Sequence, residues 1–585
     1  MGENKNLFIA LGLSLLVMIG YDQLILQPQM KEAQRLEALK QEQQAQNAAA
    51  NPDQSAPGSM APSDDLAPAS QNTAVETSAP AFVDAGSVRI ETPELVGSLS
   101  LAGARFDDLS LRNHKVTTAP DSANIQLLKP ARAEDAYFVR FGWSADVRGN
   151  DYVPGENTVW SADGDVLTPT NPVTLSWKNA EGLVFMMKVS VDDQFLFTVD
   201  QSVINTSGDV VSIAPYALIN RRGLPRTEGM FILHEGPIGA FNDTLEERTY
   251  EDLEDDGNFE TATTGGWMGI TDKFWMTTLI PDQNTPLYKA ALTRKTNQFG
   301  VYHGANYVQN WQQIGAGETH ETTNHFYAGA KIVSAIDKYE TALDIPLFDR
   351  TIDWGWFYFL TRPIFKGLHY LFELTGNFGV AILLLTVVVK LILFPLANKS
   401  YVSMSHMKKA QPKMKALQER YKDDKQKLQQ EMMALYKKEK INPLAGCLPM
   451  LLQIPVFFAL YKVLYVTIEM RHQPFVLWIK DLSAPDPLTP VNLFGLIPWD
   501  PPSFIAIGIL PIMMGISMWA TQKLSPQSAS MDPTQQKVMA MLPIIFTVIM
   551  AGFSAGLVLY WTWNSVLSIA QQWYIMRREE ARSGE

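Results

Sequence analysis

The sequence predicts a polytopic α-helical membrane protein that carries a large all-β domain on one side of the bilayer. Three observations lead there: a short apolar segment near the start, about 240 residues of two-residue alternation, and a last stretch of about 240 residues built from long apolar runs. The chain average hides this pattern, because 585 residues at 46% apolar and a net charge of −13 describe an ordinary acidic soluble protein. That charge argues against a nucleic-acid binder, since phosphate binding needs a basic surface, and no nucleic-acid site is expected. The single cysteine, Cys447, excludes an internal disulfide framework and any multi-cysteine metal site.

The apolar run Leu7 to Gly20, extended by Leu24 to Leu26, is nearly long enough to span a bilayer. No small-x-small cleavage site follows it, so residues 1–27 read as an uncleaved anchor, with a cleaved signal as the alternative. Residues 28–85 are rich in Gln, Ala, Pro and Ser without apolar periodicity, the composition of a disordered tether. From Ser87 to Tyr327 short alternating runs are separated by turn residues. Phe185, Met187, Val189 and Val191 lead through Asp192-Asp193-Gln194 to Phe195, Phe197 and Val199. That is an antiparallel hairpin signal, repeated through a domain large enough to be stable without disulfides. Ile332, Ile336, Tyr339 and Leu343 fall at helical spacing and close the domain at 86–345.

Residues 346–375 place Trp354, Trp356, Phe357, Phe359, Ile364, Phe365, Leu368 and Leu371 among Arg362, Lys366 and His369, which suits an amphipathic helix in the interface. Spans are then expected at 376–397, 446–469, 504–521, 539–553 and 556–576. The last two are split at Gly552-Phe553-Ser554-Ala555-Gly556, because one run would be too long for a single crossing. With the anchor the count is six. Between the spans lie a helical hairpin at 398–445, an exterior loop at 470–503 and a second interior loop at 522–538, with a tail at 577–585. The 398–445 segment carries 12 Lys or Arg against five acids, which places it in the cytoplasm. Parity puts the β domain outside and both termini inside. The β domain has about 20 basic and 35 acidic residues, so the negative charge is concentrated on the exterior side.

Lys390 is the most informative residue, because a cation inside Leu383 to Leu393 costs about 2.5 to 3.5 kcal/mol on insertion scales. Two accounts fit: the ammonium snorkels to the cytoplasmic interface, or it sits in a wet, protein-lined cavity with Thr386 one turn away. In the hairpin, Met407, Met414, Leu417 and Tyr421 make one stripe and Leu428, Met432, Leu435 and Tyr436 another. Together with Met433 they suit contact with varied hydrophobic partners or with anionic lipid. The exterior histidines lack metal-ligand spacing, and neither a nucleophile elbow nor a Walker loop is present, so no enzyme, metal or cofactor is expected. Pro412 is expected to bend the first hairpin helix, and Pro449, Pro455 and Pro511 to permit irregular packing of the spans.

Several motifs carry a family resemblance. They are Gly266-Trp267-Met268-Gly269-Ile270-Thr271-Asp272-Lys273-Phe274-Trp275, Asp353-Trp354-Gly355-Trp356-Phe357, Gln430 to Tyr436, Asn442 to Cys447, and Ser554 to Trp561. The chain resembles the YidC/Oxa/Alb family of membrane protein insertases in its Gram-negative form. The resemblance implies a five-helix core around a hydrophilic groove with one positive charge, and a periplasmic β super-sandwich outside it. It makes Lys390, Thr386, Tyr560 and Trp561 groove residues, with Lys390 where the family usually has arginine and Trp561 where many members have tyrosine. It further implies insertion and chaperoning of nascent integral membrane proteins in the bacterial inner membrane, alone or with the Sec translocon and its accessory subunits. The ribosome, the signal recognition particle pathway and membrane lipids are the other implied partners. The rival readings are a multispan solute transporter and a tethered sugar-binding or sugar-modifying protein.

Overall fold

The computed structural model describes residues 85–146, 152–225, 233–421, 424–439, 448–494, 496–497, 499, 501, 506–524 and 533–582. The expected anchor, all but the last residue of the linker, Cys447 and the 442–447 motif lie outside the described residues.

Alternation builds the β domain strand by strand. Leu183–Val191 pairs with Leu196–Asn205 in the register Val191 to Phe197, so Phe185, Met187, Val189, Phe197 and Val199 all face inward and are fully buried. Asp192 makes the turn between them, its Oδ1 accepting from the backbone N–H groups of Gln194 and Leu196. Hairpins of this kind assemble an 11-stranded and a 9-stranded sheet. Among the described residues the pairings are antiparallel apart from Ser87–Glu91 with Val166–Leu167. Phe106 and Phe141 from one sheet meet Phe197 and Phe326 from the other. Phe197 and Phe326 stack at 4.4 Å, and the Phe106 ring stands edge-on to Phe326 at 4.6 Å. A short helix α1 (Tyr250–Asp255) starts at a capping box between Thr249 and Asp252. Helix α2 (Val333–Ala342) ends the domain on the face that carries Ile336 and Tyr339.

A connector of buried polar contacts joins this domain to the helices that follow. Asp349, in a turn of 3-10 helix (Phe348–Thr351), is 4% exposed and accepts from Tyr358 Oη and Arg362 Nη1 at 2.5 and 3.1 Å. Arg362 also reaches Asp337 of α2 at 2.7 Å. These anchors occupy residues 348–357, so helix α3 (Tyr358–Thr375) begins well after the expected start at 346. It buries Thr361, Ile364, Phe365 and Leu368 and leaves Phe359, Tyr370 and Leu374 exposed, ending at Gly376 in the left-handed region.

Helix α4 (Phe378–Arg420) starts at Asn377, whose side chain accepts from Val380 N. Sequence reading separates a span at 376–397 from a hairpin arm beginning at 398, but the structure runs one helix through both, roughly 65 Å long. Hydropathy marks where lipid ends, whereas helix termination needs a breaker, and no glycine stands between Gly379 and Arg420. Pro395 and Pro412 lie inside the helix without ending it. Helix α5 (Lys425–Lys438) folds back on α4. Met407, Ala410 and Met414 are buried there against Met432, Leu435 and Tyr436, with a Lys413 to Glu439 ion pair of 2.7 Å beside the seam. Met433, grouped with these methionines from sequence, is instead 54% exposed, one position off the buried stripe.

The remaining helices are α6 (Leu448–Val466), α7 (Ile509–Leu524), α8 (Pro533–Met550) and α9 (Ala555–Arg582). By length and hydropathy alone α4 is able to cross a membrane, and the apolar stretches Gln453–Val466 and Lys537–Met550 are shorter. The loop after α6 caps its neighbours. Asp486 Oδ2 accepts from Leu510 N at 2.7 Å, and the carbonyls of Leu482 and Ala484 take the N–H groups of Gly556 and Ala555 at the start of α9. Lys462 of α6 pairs with Asp353 of the connector at 2.6 Å, and Arg471 donates to the carbonyls of Lys115 and Val116 in the β domain.

Two predictions follow from this packing. Phe326→Ala opens a cavity at the centre of the aromatic cluster and costs about 4 kcal/mol, read as a fall in the thermal unfolding midpoint of the β domain, with Phe326→Leu losing much less. His234 donates its backbone N–H to Asp353, and its ring bonds the Pro237 carbonyl; burial holds the imidazole down to about 4. Because the unfolded imidazole titrates near 6.5, its contribution to stability is complete above that pH, falls as the pH drops toward 4 and levels off below it. Thermal midpoints between pH 8 and pH 4 should therefore fall less steeply for His234→Gln than for the parent protein.

Candidate functional site

Lys390 lies on α4 in a stripe with Leu393, Ala397 and Tyr401, spaced 3, 7 and 11 residues along the helix and hence on one face. Together with Leu396, Gln453 of α6 and Gln571 of α9, these side chains line a cavity of ≈ 30 Å³, room for one or two waters. The ammonium donates to Ser568 Oγ of α9 at 2.8 Å. Among the described residues no carboxylate pairs with it. The ammonium therefore reaches across from α4 to α9, beside a small cavity lined by both polar and apolar side chains.

The neighbouring groups are neutral. Ser568 Oγ donates to the Asn564 carbonyl at 2.7 Å, and the Tyr401 hydroxyl is close to Ser568. Gln453 Nε2 donates to Tyr560 Oη at 2.8 Å, and Gln571 Nε2 has no hydrogen-bond partner among the described residues. Trp563 Nε1 reaches the Leu383 carbonyl at 3.2 Å, a second tie between α9 and α4. A cation among amide and hydroxyl groups offers an acidic or polar segment a partner while offering a second cation none. Among the described residues no cluster of three or more His, Cys, Asp or Glu side chains is arranged to hold a metal ion.

The residues expected at the groove do not all meet. Tyr560 is buried and joins the cavity wall through Gln453. Thr386 is 2% exposed, bonds back to the Ile382 carbonyl at 2.7 Å and does not line the cavity. Trp561 packs edge-on against Phe457 at 4.6 Å and at a tilt against Phe546 at 5.7 Å, an aromatic seam of α6, α8 and α9 outside the cavity lining. Met407, Met414 and Met432 pack in the hairpin seam, on other residues of α4 and α5 than those around Lys390. Sequence reading overlooks Tyr401, Gln453, Ser568 and Gln571. A search for charges passes over them, but Gln453 interrupts the run Leu451-Leu452-Gln453-Ile454, and Ser568 and Gln571 are three residues apart on one face of α9.

The family model described as 60Kd inner membrane protein matches residues 370–582, and that described as YidC periplasmic domain matches residues 87–367. The chain is 46% identical to the membrane protein insertase YidC of Methylobacterium radiotolerans, over 99% of this chain and 96% of that one. It is 46% identical to that of Rhizobium meliloti and 47% identical to that of Sinorhizobium medicae, with the same coverage of both chains in each case. A solved active YidC insertase with its first transmembrane domain resolved aligns with 83% of this chain and 92% of that chain, at 16% identity and a TM-score of 0.36.

The Gln453 to Tyr560 bond yields a stability test. Tyr560→Phe leaves a half-buried amide without its acceptor and should cost about 1 kcal/mol. Combining it with Gln453→Leu removes both partners, and the thermal midpoint of the detergent-purified double variant should recover part of that loss.

Proposed function

The chain belongs to the family of the 60 kDa inner membrane protein and the YidC insertases, and from that premise we propose a route for insertion through its helical core. It is a bacterial inner-membrane protein insertase with a periplasmic β-sandwich domain and a helical membrane core. Its substrates are nascent membrane proteins. In this proposal the chain has six spans, the described helices α4, α6, α7, α8 and α9 forming the five-helix core and the segment at 1–27 the sixth. Both termini lie in the cytoplasm, as does the α4–α5 hairpin.

The observation that carries the proposal is the Lys390 ammonium beside a small cavity between apolar helices, hydrogen-bonded to Ser568 and without a carboxylate partner among the described residues. A polar segment crossing hydrocarbon loses its hydration, and a wet half-channel shortens the dry part of the path. The ammonium favours segments that carry acids, while the apolar parts of the substrate follow the lipid-facing side chains of α7 and α8, among them Ile516, Trp519, Ile544 and Val548, all exposed. No hydrolysis step enters this route. The hairpin seam, with Met433 outward, meets incoming hydrophobic segments, and chaperoning, the Sec translocon, the ribosome and the signal recognition particle pathway belong to the same proposal.

Purified protein in liposomes free of other proteins should insert a small one- or two-span substrate; solute uptake without insertion would sink the reading. Lys390→Arg should keep activity. Lys390→Glu should slow insertion of substrates with acidic translocated segments by roughly tenfold or more, because attraction becomes repulsion at close range in a poorly screened site. Removing residues 87–328 should leave insertion in place, and loss of insertion on that deletion would instead favour a reading centred on the β domain.

A further inference from the structure

We infer that Ser568 is the positioning residue of the insertion groove, holding the Lys390 ammonium in the cavity without neutralising it. The inference rests on the insertase reading and assigns a role to a side chain on the facing helix. A lysine has a flexible four-carbon stem and can carry its charge toward a polar interface when nothing restrains it. The basic stretch of α4 begins at Lys399, nine residues beyond Lys390 or about two and a half turns. In the structure the ammonium instead crosses to α9 and ends 2.8 Å from Ser568 Oγ.

The helix sets the bonding roles at that oxygen. Its proton goes to the Asn564 carbonyl four residues back, at 2.7 Å, the ordinary back-bond of a helical serine. Its lone pairs remain, and one of them accepts from Lys390. One serine thus ties α9 to α4 at Lys390, with the donor and acceptor roles set by the helix. A carboxylate at this position would hold the ammonium more tightly, but it would cancel the charge that an acidic substrate segment seeks. A hydroxyl fixes the position and leaves the charge. It also occupies one of the three ammonium protons, so that two remain for the cavity, where Gln453 and Gln571 stand.

The test compares two substrates in proteoliposomes, identical except that one carries acidic residues in its translocated segment and the other uncharged ones. The quantity read is the ratio of their initial insertion rates. Ser568→Ala should lower that ratio about tenfold, the order expected for losing a hydrogen bond to a charged group. Ser568→Thr, which keeps the hydroxyl, should restore it, and Ser568→Asp should lower it as far as Lys390→Ala does. In a Lys390→Ala background Ser568→Ala should change the ratio no further, because the group it positions is gone. The inference is overturned if Ser568→Ala leaves the ratio at the parent value. It is equally overturned if Ser568→Ala slows both substrates alike, or if it lowers the ratio as much without Lys390 as with it. Thermal midpoints of all variants identify any that fail to fold, in which case the Thr and Asp variants alone decide. If the parent protein inserts neither substrate, the insertase reading fails and the role of Ser568 falls with it.

Discussion

The helical half of the chain is organised by the cost of keeping a lysine ammonium among apolar helices. A charge in that setting needs hydrogen-bonding groups around it, and they must come from several helices because no single helix face supplies enough. Lys390 obtains them from α9 through Ser568, while Gln453 of α6 and Gln571 of α9 complete the polar wall. The bond from Gln453 to Tyr560 and that from Trp563 to the Leu383 carbonyl then bind α6, α9 and α4 into one frame. The site is made of cross-helix ties, so the groups that shape it also hold the bundle together.

A second set of polar contacts joins the β domain to this frame. Asp349 and Arg362 secure α3 beneath α2, Lys462 meets Asp353, and Arg471 reaches back to two carbonyls of the domain. Lys331, 2% exposed, donates to Thr271 close to Asp272 and Asp353, and burial pulls its ammonium down to about 8. These are buried or half-buried pairs of modest reach, and loss of one partner strands the other away from water. They order the residues between the sandwich and the helical core, which explains why α3 starts at Tyr358 and the preceding ten residues are taken up by anchoring.

Much of the architecture was legible in the chain because local periodicity and burial share a cause. The hairpin at Phe185 to Val199, the helix over Ile332 to Leu343 and the interruption between Met550 and Ala555 each depend on neighbouring residues alone. The boundary at 397 was not legible, since the change from apolar to basic residues there alters the solvent the helix meets and leaves its backbone hydrogen bonding unchanged. Lys390 stands out in the sequence as a charge in an apolar run. Thr386 and Trp561 are groove residues by resemblance alone; in the structure Thr386 bonds back into its own helix and Trp561 packs in an aromatic seam.

By itself, then, the sequence determined which segments are strands, which are apolar helices, and that one cation lies between Leu383 and Leu393, because alternation, helical spacing and hydropathy are properties of short stretches of chain. Only the tertiary structure decided where that cation points and what holds it. Ser568 and Gln453 stand 178 and 63 residues from Lys390 and look unremarkable in their own segments. Their meaning arises from the packing of α4, α6 and α9, which sets a hydroxyl and an amide at hydrogen-bonding distance from groups that no local pattern connects to them.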